Sequence, residues 1–71
     1  MRALPNGYNR EALEEVLELA RGAVEKEYGK IFLSEPIYER LLEVCREIVK
    51  NYNSTVAFEE MKRELIDLIK R

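Results

Sequence analysis

Between Ile37 and Tyr52 the chain sorts into two faces with no misplaced residue. Ile37, Tyr38, Leu41, Leu42, Val44, Cys45, Ile48, Val49 and Tyr52 are apolar or aromatic, and every residue between them is polar. At about 100° per residue the apolar set spans an arc of roughly 160°. That is the signature of a helix burying one broad face. Two further segments follow the same rule. Ala12, Leu13, Val16, Leu17, Leu19, Ala20, Ala23, Val24 and Tyr28 lie on one half of a first helix. Ala57, Phe58, Met61, Leu65, Ile66, Leu68 and Ile69 do so in a third.

The boundaries are written in capping chemistry. Asn9 is a good N-cap for the first helix. Tyr8 and Leu13 take the two positions of a hydrophobic staple around it. Gly29 is placed to end that helix as a C′ glycine. Ser34 is the next N-cap, followed by Glu35, which complements the helix dipole, and Pro36, whose missing N–H does no harm in a first turn. Asn51 to Ser54 is a tight stop and restart, with Asn53 or Ser54 capping the third helix. The expected helices span roughly 10–28, 35–51 and 55–70. Residues 1–8, with Pro5, Asn6 and Gly7, read as an extended arm with a turn, from which Ala3 and Leu4 would pack on the helices or hang loose.

Three arcs of this width predict an all-α fold: a small three-helix bundle in a single domain over 1–71. Short connections make sequential neighbours antiparallel. A dimeric bundle is the alternative, because wide arcs would also serve a second chain. The connection Lys30-Ile31-Phe32-Leu33 is unusually apolar and is expected to close one end of the core. Gly22 falls on the polar face, where it costs the helix up to ~1 kcal/mol relative to Ala. Nothing in the sequence accounts for it.

Composition narrows the chemistry. The chain has 71 residues, 46% of them hydrophobic, with a net charge of −2 from 12 basic and 14 acidic residues. The size suits one economical core. The charge balance argues against a dominant nucleic-acid surface. No apolar run approaches the ~18 residues of a membrane span. Residues 1–10 lack a signal-peptide pattern, so a cytoplasmic location is expected. The acidic side is nearly all Glu, and Gln is absent. That usage fits a heat-adapted, thermostable protein and equally fits deliberate helix engineering. The Asn residues weigh against the first, and Cys45 and Gly22 against the second.

There is no His. His-based acid–base catalysis, Ser–His and Cys–His nucleophiles, and the usual Cys/His zinc sites are thereby excluded. Gly7, Gly22 and Gly29 are isolated, so there is no phosphate loop. No catalytic residue, cofactor or metal site is expected, and the chain reads as non-enzymatic. Cys45, the only cysteine, sits mid-arc and reads as a small core residue.

One polar pattern stands above background. Glu35, Glu39, Glu43 and Glu47 follow one another in i, i+4 steps along the second helix. It is a solvated ridge relieved by Arg46 and Lys50, or a docking strip for a basic partner; a single helix row surrounds no metal ion. A second acidic cluster, Glu11, Glu14, Glu15 and Glu18, lies near a helix N-terminus, where anions are favoured. Leu19, Val44 and Ile66 widen the arcs at their edges and are the expected exposed hydrophobics.

The expected role is protein–protein interaction or self-association, with Glu35, Glu39, Glu43, Glu47, Leu19, Val44 and Ile66 as partner contacts. Two alternatives stand beside it. One is a DNA-associated regulator of helix-turn-helix type, reading through the third helix. Against it, Lys62, Arg63, Lys70 and Arg71 are interleaved there with Glu59, Glu60, Glu64 and Asp67, whereas phosphates favour a net positive face. The other is an engineered stable scaffold with no natural ligand. Membrane-surface binding is disfavoured by the acid-rich polar faces.

Overall fold

The computed structural model describes residues 9–71, and these form three helices packed as a compact bundle: α1 (Arg10–Tyr28), α2 (Glu35–Asn51) and α3 (Ser54–Lys70). The arm and the Tyr8 half of the staple lie outside the described residues. Two of the three helices start at an asparagine whose side chain caps them. Asn9 Oδ1 accepts from the Ala12 N–H at 2.9 Å, and Asn53 Oδ1 accepts from Val56 at 2.8 Å. Of the two candidates for α3, Asn53 is therefore the cap. Ser34 occupies the N-cap position of α2, but its side chain makes no capping hydrogen bond. Pro36 in that first turn lowers the number of N–H groups to be satisfied.

The core is a single apolar cluster. α1 contributes Leu13, Leu17, Ala20 and Val24; α2 contributes Leu41, Leu42, Cys45 and Val49; α3 contributes Ala57, Met61 and Leu65. No polar or charged side chain among the described residues is buried. Every one of these positions belongs to an arc read from the sequence, because burial of one face is what sets the 3.6-residue period.

The succession is antiparallel, but α2 is shifted along α1: Tyr38 lies beside Glu14 and Glu18, and Leu42 beside Leu13, so α2 advances as α1 recedes. α2 and α3 run antiparallel, with Ile37 and Leu41 near the start of α2 sharing a crevice with Glu64 and Leu68 near the end of α3. An α1–α2 hairpin aligned end to end would set Arg10 beside the last turn of α2, about 18 Å along the axis from Glu39. Instead Arg10 grips Glu39, and Leu13 lies beside Leu42. The start of α1 thus meets the first half of α2. The cause is the connection, which doubles back along α1 so that Ile31 bonds Glu25 and Arg21.

Two residues of α1 hold that connection in place. Glu25 Oε2 accepts from the Ile31 N–H at 2.8 Å, and the Arg21 guanidinium donates to the Ile31 carbonyl at 2.9 Å. Arg21 also pairs with Glu18 at 3.2 Å and with Glu25 at 3.5 Å. Both backbone polar groups of Ile31 are satisfied, as a buried loop residue requires. Its side chain caps the core while its neighbour Phe32 turns out to solvent, 88% exposed. The expectation that the whole apolar connection closes the core holds for Ile31 and for half-buried Leu33, and fails for Phe32. Phe32 lies between buried Ile31 and half-buried Leu33 and faces away from both.

Tyr52 is likewise not part of the buried arc. It is the C-cap of α2 and 71% exposed, because the chain has left helical geometry there (φ −131°, ψ −100°). Gly29 ends α1 with φ 92° and ψ −178°, and its N–H still donates to the Glu25 carbonyl. This is not the left-handed helical cap expected of a C′ glycine. It is an extended positive-φ conformation that is essentially confined to glycine.

Gly22 is exposed, and a Cβ placed on it meets nothing within 4 Å. Gly22→Ala is therefore expected to raise the stability of the isolated chain by up to ~1 kcal/mol. Thermal melts in dilute solution check this, and an unchanged or lower midpoint would contradict it.

Candidate functional site

The seven expected contact residues do not converge on one surface. Glu35, Glu39, Glu43 and Glu47 are all exposed along α2, as a ridge. Its relief comes from a different helix than expected. Arg10 Nη1 donates to Glu39 Oε1 at 2.9 Å and Nη2 to Oε2 at 2.5 Å, while its Nε reaches Glu14 at 2.8 Å. Among the described residues no ion pair joins Glu43 to Arg46 or Glu47 to Lys50. Arg46 lines a small crevice with Arg10, Leu13 and Glu43 instead. A bidentate fork from a neighbouring helix is simply better geometry for a carboxylate than an i, i+3 lysine or arginine.

Arg10 holds the Glu39 carboxyl below its ordinary value near 4.5, chiefly through that hydrogen bond. The folded chain therefore keeps Glu39 ionised at a pH where the unfolded chain binds a proton. Stability from the pair is complete above the ordinary carboxylate range and is lost as pH falls through the folded value. The difference in melting temperature between the unsubstituted chain and Glu39→Gln should be largest at neutral pH and shrink in acid. A difference that stays constant across that range would contradict the assignment.

The second acidic cluster flanks an open depression with Tyr38. Glu11, Glu14, Glu15 and Glu18 line it from α1, and the tyrosine from α2. Burial pushes the Tyr38 hydroxyl pKa up, and the Glu18 and Glu14 carboxylates push it further. The arrangement suits a neutral phenol beside anions. Among the described residues no group of three or more Cys, Asp or Glu side chains is arranged to hold a metal ion.

Cys45 is fully buried in the core, and burial raises its thiol pKa. A buried thiol with no nearby base is a poor nucleophile. Native protein should react with a disulfide reagent only at the rate of unfolding, and guanidinium should release the full thiol at once. Rapid reaction of the folded chain would overturn this.

Of the three edge hydrophobics, Leu19 alone is strongly exposed, at 61%. It borders an open, mostly apolar groove of about 310 Å³ with Val16 of α1 and Ser54, Thr55 and Phe58 of α3. Ile66 is half-buried in another groove, beside Ala23, Val24 and Tyr28. Val44 is half-buried against the core. Both were expected among the most exposed hydrophobics, and packing across the helix interfaces covers them. Phe32 and Tyr52 are more exposed than any of the three. The alternation from Ile31 to Leu33 was the available signal for Phe32.

The polar face of α3 is internally compensated. Lys62 pairs with Glu59 at 3.4 Å and sits 4.8 Å over the Phe58 ring, and Arg63 pairs with Glu60 at 3.5 Å. Two of its basic side chains are thus engaged with partners on the same helix. No helix is long and apolar enough to cross a membrane among the described residues. No protein-family model, curated protein or solved structure matches this chain.

Proposed function

We propose that this chain is a non-enzymatic interaction module of the cytoplasm that binds protein through the apolar groove between α1 and the start of α3. The observation that carries this is Leu19, more than half exposed at the rim of a groove floored by Val16 and Phe58. A leucine held out in water beside other apolar side chains loses the burial that would stabilise it by about 1.5–3 kcal/mol. A partner that covers the groove recovers part of that. Leu19 is surrounded by polar groups, with Glu15 and Glu18 on its own helix and Ser54 and Thr55 across the groove. An apolar centre inside a polar rim is the anatomy of a protein contact.

Photo-crosslinking in living cells tests the proposal. A crosslinking residue at Leu19 should give discrete adducts with protein, whether a second copy or another chain. The same residue at Asp67, on an exposed polar position of α3, should give far fewer. Equal yields at the two positions would overturn the proposal.

A further inference from the structure

We infer that the protein pairs with a second copy of itself, α1 against α1 in antiparallel orientation, through Glu15, Leu19, Gly22 and Lys26. The inference rests on the interaction-module proposal and names its partner. Leu13, Leu17, Ala20 and Val24 of α1 are buried. Glu15, Leu19, Gly22 and Lys26 repeat the same spacing, displaced by two residues, and all four are exposed. Two residues are about 200° of helix rotation, so this second row lies almost opposite the core. Its 4-3-4 spacing is that of a helix–helix seam.

The row is complementary to itself. A two-fold axis midway between Ala20 and Arg21 places Glu15 opposite Lys26 of the second copy, and Lys26 opposite its Glu15. The same axis places each Leu19 opposite the other copy's Gly22. Among the described residues neither Glu15 nor Lys26 has an ion-pair partner within its own chain. The space beside Gly22 is open. A leucine entering there meets bare backbone, which lets the two helices approach closely. Gly22, costly and unexplained in the single chain, has a use in the pair. A two-fold contact uses the same patch on both copies, so one row supplies the apolar knob, the gap and both charges. Val16 and Phe58 border the seam on one side and extend its apolar area.

One helix pair buries less than the roughly 1,200 Å² of a stable interface, so the dimer is weak and concentration-dependent. Sedimentation equilibrium of the purified full chain, from micromolar to about 1 mM, should show mass rising from one chain to two. Leu19→Glu should abolish the rise. Glu15→Lys should weaken association about tenfold by setting lysines against Lys26, and Glu15→Lys with Lys26→Glu should restore it. Gly22→Ala should weaken association while raising the melting point of the dilute chain. Folding of each variant is checked by circular dichroism.

A monomeric mass at every concentration overturns the inference. So does a double charge reversal that fails to restore association, or a Gly22→Ala chain that associates as well as the original. A monomeric purified chain whose Leu19 crosslinks in cells to a different protein overturns the second copy and leaves the interaction module standing. Absence of position-specific adducts removes the module itself.

Discussion

Leu17→Ala is expected to lower stability by about 3 kcal/mol, within the 2–5 kcal/mol range for a buried leucine. Leu17 has no exposed surface and packs in the cluster shared by all three helices. The loss combines the transfer free energy of the removed carbons with the cavity left behind. Neighbours on three separate helices can collapse into that cavity only in part. A domain of this size has roughly 4–10 kcal/mol of total stability. The substitution therefore removes a large fraction of it and should lower the melting temperature by about 12–24 °C. Leu19→Ala, two residues along the same helix, should change the dilute chain by less than about 0.5 kcal/mol. Denaturant titration of the two variants checks the pair. Similar losses at both positions would mean that the core is not where the arcs of α1 place it.

Gly29→Ala is expected to cost about 1–3 kcal/mol, through the backbone alone. A Cβ there meets nothing within 4 Å, so no clash contributes. The cost comes from the φ of 92° with extended ψ, which an L side chain strongly resists. Relief by rotating φ would redirect the chain just before Ile31. That would strain the hydrogen bonds from Arg21 and to Glu25 which pin the connection along α1. The expected signature is a lower melting point together with faster amide exchange at Ile31. Gly22→Ala is the same chemical change at an equally open site, and its expected sign is opposite. Only the backbone conformation differs: Gly22 is helical, where alanine is favoured, and Gly29 is not. Equal effects at the two glycines would refute the assignment of strain to Gly29.

The three helices were legible because their faces obey a local rule. Burial of one side of a helix forces apolar residues to recur at three and four positions, and that periodicity survives in the sequence however the helices later pack. The Asn9 cap is local in the same sense, since its side chain bonds an N–H three residues ahead, whereas at α3 Ser54 offered the same chemistry and the structure selects Asn53. Cys45 and Met61 could be assigned to the core on the same ground.

The candidate site was less legible. Leu19, Val44 and Ile66 all sit at the edges of arcs, and an arc edge is buried or exposed according to what the neighbouring helix brings. Ile66 and Val44 pack against the buried cluster, whereas Leu19 stays outside it, 61% exposed. The partner of Glu39 was hidden for a related reason. Arg10 lies 29 residues away, and only the doubling-back of the connection brings the two together.

By itself, then, the sequence determined which segments are helical, where the first two helices start and which face each helix buries, because those properties depend on neighbours within about four positions. Tertiary structure decided that α1 begins against the first half of α2, that Arg10 pairs with Glu39, and that Leu19 remains in water. Those outcomes depend on the path of six connecting residues and on contacts between distant segments, which no local periodicity encodes.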